Sequence, residues 1–402
     1  THDPERHEPL SASPWSEGVA RQAVAAIVRD TLQQLQPGGA WPVHPQDDEG
    51  DHLRTGFKGL YWGRAGVWWA LWWLQRQGAV QLDDDPVAGL RQAEAAYAAE
   101  PDNGRVEASL FMGQAGILLA LWAATRADDV ADRLHAVVSA NTHHPANEAF
   151  LGAAGTVRAA WHLAQATQQP RWQALVRDNL QALWAGWHFD ERAGCHLWTQ
   201  QLHGSTVQYF GAGHGWAGNV GALLQALALL GDDRRSALVE RCSEMLARTA
   251  SRDGDSANWR GGTYLPRSGK VDLLLQWCHG APGFITALNA LPVGQAPVVD
   301  ELLLAAGRAV WRAGPLAKGQ GLCHGTAGNG EALLALYRRT GDGRWLERAR
   351  AFAMHALLQA RQMAQLHGQG RPTLWTGDLG LAVFLWQCIE GRAGMPILDF
   401  VA

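Results

Sequence analysis

One spacing constrains this sequence more than any other feature. A Gly-x-x-Gly element recurs seven times, at Gly63/Gly66, Gly113/Gly116, Gly152/Gly155, Gly215/Gly218, Gly280/Gly283, Gly325/Gly328 and Gly377/Gly380. The copies stand about 52 residues apart, room for two helices and two loops, and a period of that length marks a repeat architecture. Apolar stretches follow the element, as in VWWALWWL (67–74), ILLALWAA (117–124), VGALLQALALL (220–230) and EALLALY (331–337). Between them lie amphipathic segments, clearest at 86–97, 172–184, 234–250, 298–311 and 345–366. Their apolar residues recur at three- and four-residue spacing, the pattern of a helix with one solvated face. Each repeat therefore reads as one outer helix and one inner helix too apolar for a surface position. The prediction is an all-α fold, an (α/α) toroid of about fourteen helices in two rings. No low-complexity linker divides the chain. Residues 1–402 read as one domain, with repeats over 55–390 behind a short N-terminal extension, 1–20.

Glycine permits sharp turns and close backbone approach. Set just before each inner helix, the glycines should gather the inner-helix N-termini at one end of the toroid. Free N–H groups there would make that end electropositive. Two stretches break the helical pattern. Residues 196–208 (HLWTQQLHGSTVQ) alternate around His203-Gly204, which predicts a hairpin before the fourth inner helix. Residues 251–270 read as a long loop before the fifth. Asp83-Asp84-Asp85 reads as a turn, with Pro86 near the first position of an outer helix.

Hydrophobic residues form 47% of the chain, ample for a large core. Lys+Arg (34) and Asp+Glu (38) nearly cancel, so no charge excess pulls the protein onto nucleic acid or anionic lipid. Apolar runs such as Val67–Leu74 are too short for a membrane span, and Thr1–Pro9 is polar. The five cysteines are odd in number and widely spaced, as reduced thiols are and a disulfide framework is not. The expectation is a cytoplasmic protein.

Three turns carry candidate ligands: Gly213-His214-Gly215, Trp277-Cys278-His279-Gly280 and Leu322-Cys323-His324-Gly325. In each, a His immediately precedes the first glycine, so superposable repeats would aim these side chains at the same end. Two thiolates and one imidazole are a usual zinc environment, and three protein ligands leave the fourth position open, as in catalytic sites. Zinc deprotonates a ligated thiol, and thiolate is the nucleophilic form. A buried Cys is more often a small hydrophobe, so spacing alone leaves a metal site and a packing role both open. Spacing also does not choose between His279 and His324 as third ligand. Among the 20 tryptophans, Trp216 and Trp277 flank the candidate residues and are expected to line the pocket.

Taken together, GAGHGWAG (211–218), QWCHGAPG (276–283), GLCHGTAGN (321–329) and the seven glycine turns resemble the lanthionine synthetase C-like family, over about Gly59 to Leu385. The resemblance implies an (α/α) toroid with one zinc on Cys278, Cys323 and His324. It maps the family's proton-transfer His onto His214. Glu148, four residues before Gly152, falls where the bacterial cyclases carry Asp and the eukaryotic-type relatives carry Glu. Motif wording, with Lys318 five residues before Cys323, is nearer the eukaryotic-type branch, which is associated with glutathione.

The implied reaction is zinc-dependent addition of a thiol, from a peptide Cys or glutathione, to dehydroalanine or dehydrobutyrine in a dehydrated peptide or protein. His214 would donate the proton. Lys318 or Arg260 would stabilise the enolate or bind a glutathione carboxylate. Alternatives are a zinc- or glutathione-binding adaptor without turnover, a helical-toroid prenyltransferase, or a glycoside hydrolase using a carboxylate pair such as Glu148 and Asp378. The last would leave both Cys motifs without a purpose.

Overall fold

The computed structural model describes residues 3–47, 56–263 and 273–402. Among them are fourteen α-helices and six short strands. The inner helices are α2 (Arg64–Arg76), α4 (Gln114–Thr125), α6 (Ala153–Thr167), α8 (Trp216–Gln225), α10 (Ala281–Leu288), α12 (Thr326–Thr340) and α14 (Asp378–Glu390). Each packs on the next, and α14 returns to α2, closing the ring. The outer helices are α1 (Glu17–Gln33), α3 (Pro86–Ala99), α5 (Asp128–Asn141), α7 (Pro170–Ala185), α9 (Asp232–Thr249), α11 (Pro297–Ala313) and α13 (Gly343–His367). The inner helices are buried nearly all round: every residue of α14 from Asp378 to Cys388 is shielded. The outer helices bury one stripe, such as Trp172, Leu175, Val176, Leu180 and Leu183 of α7. No helix of the described residues is long and apolar enough to cross a membrane.

The first glycine of every repeat is the N-cap of its inner helix. The second glycine has a steric cause that is the same seven times. A Cβ there would lie 1.8–2.4 Å from the carbonyl oxygen six residues earlier, as at Gly66 against Leu60 and Gly328 against Leu322. The preceding loop is therefore pressed onto the first helical turn. Only at Gly280 does the cap also demand a left-handed backbone, at φ +111°, a conformation that suits glycine.

This close approach overturns one expectation. In six of the seven inner helices the first N–H group is not left free. In five repeats the first of them donates to the carbonyl seven residues earlier, as in Arg64 to Phe57, Trp216 to Tyr209 and Asp378 to Arg371. In α10 the N–H of Ala281 donates to Asn258 Oδ1 at 2.8 Å. The loops consume the donors that would have made this end electropositive.

The predicted hairpin is present as β3 (Gln200–Leu202) paired with β4 (Ser205–Val207). His203 and Gly204 both have positive φ in the turn, the two-residue geometry that matches strand twist. It is preceded by a second hairpin, β1 (His188–Asp190) with β2 (Cys195–Leu197). The stretch expected to be a loop from 251 is in part a third hairpin, β5 (Ala250–Asp253) with β6 (Ser256–Trp259). Its remainder from 264 to 270 lies outside the described residues. The apolar run 220–230 is not all helix: α8 stops at Gln225 and a 3-10 turn follows. Asp85 caps α3 by accepting from Val87 N–H at 2.9 Å, with Pro86 at the first helical position. Helix α1 begins within the expected N-terminal extension and packs on α14 as part of the outer ring.

Candidate functional site

The residue two positions before the first glycine of each repeat organises one end of the toroid. In chain order these are Tyr61, Phe111, Phe150, Gly213, Cys278, Cys323 and Trp375. Main-chain hydrogen bonds stitch most of them together. Gly213 N donates to Cys278 O, Cys278 N to Cys323 O, Cys323 N to Trp375 O, Trp375 N to Tyr61 O, and Tyr61 N to Phe111 O, over 2.9–3.4 Å. The third turn is joined by side chains instead. Ser109 Oγ donates to Phe150 O, and Asn219 Nδ2 donates to Asn147 O at 2.8 Å. Neighbouring repeats thus deliver Cys278 and Cys323 side by side.

The ligand atoms of Cys278, Cys323 and His324 all lie within 4.8 Å of one another. Both cysteines are buried and His324 is partly exposed. The donor set suits zinc: two sulfurs and one imidazole nitrogen, close enough to converge on one ion at ordinary bond lengths of about 2.0–2.3 Å. The Cys278 thiol is held well below its usual range by the hydrogen bond from Cys323, against burial, with His324 and His279 adding to the effect. Burial and the Cys278 charge push Cys323 up, while Tyr61 and Lys318 pull it down. A pair so placed holds one proton between two sulfurs, and a cation would release it. The other cysteines differ. Burial pushes Cys195 up to about 11 and Cys388 well above the ordinary thiol value. Cys242, within α9, is also raised.

His214 stands on the adjacent turn. Its Nδ1 lies 3.1 Å from Glu148 Oε2; the His side chain is 30% exposed and the Glu is fully buried. Glu148 is fixed by N–H groups of its own loop, from Phe150 at 2.8 Å and Leu151 at 2.6 Å. Burial alone would lower the His214 pKa, but the Glu148 hydrogen bond and charge outweigh it, with Cys278 contributing, and the net shift is upward. Phe150 packs on the His214 ring at 4.6 Å. His279, which spacing left level with His324, is stacked on His214 at 5.8 Å and is not in the three-ligand cluster.

Lys318 is exposed, and its charge is felt at Cys323. Arg260 is half-buried directly after β6. Trp277 is buried and packs on Trp375, at 4.7 Å. Trp216 does not line the pocket as expected: it is buried behind the site against Phe284 and Trp187. The carboxylates considered for sugar hydrolysis are both committed, Glu148 as above and Asp378 to Arg371 N–H and the Gln320 amide. Sequence reasoning missed Tyr61, Phe111, Phe150 and Trp375. They occupy the same register position as the two cysteines, so reading that column through all seven repeats would have found them.

An (α/α) toroid with convergent Cys, Cys and His side chains and a neighbouring His–Glu pair defines a class of helical-barrel protein with a candidate zinc centre. Within that class the chain belongs to the lanthionine synthetase C-like protein family, whose profile its residues 58–393 match. It is 35% identical over 199 residues to glutathione S-transferase LANCL1 of Danio rerio, covering 48% of this chain and 46% of the relative. It is 40% identical over 119 residues to LanC-like protein GCL1 of Arabidopsis thaliana, covering 29% and 27% respectively. The matches thus span less than half the length of these curated relatives. Nisin cyclase shares the fold, with a TM-score of 0.63 at 14% identity over 92% of this chain and 94% of that one.

Proposed function

We propose that the protein catalyses zinc-dependent addition of a thiol to dehydroalanine or dehydrobutyrine residues of a dehydrated peptide or protein, forming a thioether. The observation that carries this reading is the convergence of Cys278, Cys323 and His324 within 4.8 Å, one turn away from His214 paired with Glu148.

Cys278, Cys323 and His324 would hold the metal. Bound zinc supplies the positive charge that lets a substrate thiol ionise near neutral pH. A carbon–sulfur bond forms at Cβ, the π electrons move toward the carbonyl, and the resulting enolate needs a proton at Cα. Protonated His214 gives a proton to Cα, and the proton the thiol gave up on ionising restores it, so the addition is balanced with no other reagent. Glu148 fixes the tautomer and orientation of His214 through Nδ1, leaving Nε2 to exchange the proton. Phe111, Phe150 and Trp375 wall the centre with apolar surface and restrict water. Lys318 is suited to a carboxylate of the thiol donor, and the relative named as a glutathione S-transferase supports glutathione in that role.

The test has two stages. Bound metal is measured for the wild type, Cys278→Ala and Cys323→Ala; zinc at full occupancy in both variants sinks the metal reading. A dehydroalanine peptide is then offered with glutathione, and a second one with an internal Cys. An adduct of the expected mass in the first supports the transferase reading, and cyclisation of the second alone reassigns the thiol to the peptide. Neither product leaves a non-catalytic binding protein.

A further inference from the structure

Each sulfur of the candidate centre has a buried side-chain donor that no ligand role accounts for. Gln276 Nε2 donates to Cys278 Sγ at 3.1 Å, and its side chain belongs to a residue only 7% exposed. The Tyr61 hydroxyl lies within hydrogen-bonding reach of the Cys323 sulfur, and Tyr61 is 4% exposed. Tyr61 reaches this point because it holds, in the first repeat, the register position that supplies Cys278 and Cys323 in the fifth and sixth. Its ring is clamped, stacked on Trp375 at 6.3 Å and edge-on to Phe150 and Trp62 at 5.0 Å. Its main chain is held by Phe111 O and Trp375 N. Gln276 is fixed in the same manner, exchanging main-chain hydrogen bonds with His279 at 3.1 and 3.2 Å.

We propose that Tyr61 and Gln276 are positioning residues that donate one hydrogen bond to each metal-binding sulfur and so set how much negative charge the two cysteines place on the metal. The inference rests on the metal reading above. Two thiolates can neutralise a divalent cation, which would leave little positive charge for an incoming thiol. A hydrogen bond to each sulfur draws density away from the metal, and bonds to ionised acceptors are about twice as strong as neutral ones. Outer partners of metal ligands typically change metal affinity about 10- to 100-fold.

Cobalt(II) in place of zinc reads this without substrate. Its sulfur-to-metal charge-transfer band follows the charge on sulfur, and its ligand-field bands report the ligand set. Tyr61→Phe and Gln276→Met remove one donor each while keeping the bulk. We expect the charge-transfer band to move to lower energy in each and further in the double variant, with unchanged ligand-field bands and zinc retention about 10-fold weaker against a chelator. Trp375→Phe alters the same aromatic packing but removes no donor to sulfur, and its band should stay in place. A band unmoved in both donor variants overturns the inference, whatever happens to zinc affinity. So does a band that moves as far in Trp375→Phe as in Tyr61→Phe, since packing would then be the cause. A wild type that takes up no cobalt removes the metal reading and this inference together. Failure of thiol addition alone leaves these spectra untouched.

Discussion

The two ends of the toroid are built from the same inner helices and use histidine in opposite ways. At the N-terminal end of those helices, His214 faces a buried carboxylate, and its pKa is raised despite burial. Toward the other end, His162 lies in α6 with Nε2 3.1 Å from Ile397 O and 3.2 Å from Leu398 O. Burial, with the nearby Arg158 charge, lowers its pKa to about 4, so it is neutral near pH 7. The segment it holds is tied by further side chains to its carbonyls: Gln225 to Leu398 at 2.7 Å, Trp69 to Val401 at 3.0 Å and Gln387 to Gly394 at 2.8 Å. There a neutral imidazole spends its N–H on structure. At the candidate site one ring nitrogen of His214 is spent on Glu148, and the other is the one that the proposed proton transfer would use.

The comparison breaks most visibly at His214. His214→Asn should lower thioether formation about 10²- to 10⁴-fold, the usual worth of a positioned acid, with zinc content unchanged. A variant that keeps most of its rate would remove His214 from the chemistry. The next largest effect concerns the loop that leads into α14, where Arg371 N–H holds Asp378. Arg371 donates to Asp47 through Nε at 2.8 Å and also through its second amino group, and Thr376 adds a bond to the same carboxylate. Both partners are buried. Asp47→Ala leaves the guanidinium unpaired and should cost about 3–5 kcal/mol in denaturant unfolding. Loss of the exposed Arg252–Glu301 pair should cost at most about 1 kcal/mol. Equal losses would mean that Arg371 finds another partner.

At the opposite end His162→Gln keeps a donor but loses the titration. The His162 pKa is depressed from 6.5 to about 4 on folding. Its neutral form therefore contributes stability that is complete above pH 6.5 and is lost as pH falls toward 4, up to about 3 kcal/mol. Unfolding measured across this window should show a smaller acid loss in the variant than in the wild type. Parallel curves would show that His162 does not stay neutral in the fold.

Much of the architecture was legible because one steric rule repeats. A second glycine that must clear a carbonyl at about 2 Å is required seven times, and the apolar runs behind it cannot be surface helices. Helices α1 and α5 were harder to see. Helix α1 precedes the first glycine turn and so lies outside the spacing that located the others, and the buried stripe of α5 ends on a polar residue, Asn141. The hairpin at 250–259 was hidden because Ser, Asp and Gly favour turns, while its buried strand, Ser256–Trp259, owes its burial to packing on α11. For the candidate site, the Cys and His motifs stood out by residue type. Tyr61 and Gln276 did not, because a hydrogen bond to sulfur depends on which loops meet, and the sequence shows only that loops exist. The choice between His279 and His324 was similarly a matter of direction. Both follow a Cys, but one stacks on His214 while the other turns to the sulfurs.

The smallest effect is the most discriminating for the His–Glu pair. The His214 pKa is raised on folding, so its pairing with Glu148 contributes stability that is present below the ordinary imidazole value. That stability is lost as pH rises through the folded-state value. If protonated His214 supplies the Cα proton, thioether formation declines over the same alkaline limb. Glu148→Gln removes the charge that raises the pKa but keeps an oxygen for the Phe150 and Leu151 N–H groups. Burial then acts with less opposition, and the limb should move to lower pH, with zinc content unchanged. The His162→Gln variant, altered only at the far end, should keep the wild-type limb. A limb that stays fixed in Glu148→Gln, or moves to higher pH, would show that Glu148 orients its loop without tuning His214, and the contrast between the two histidines would then reduce to burial.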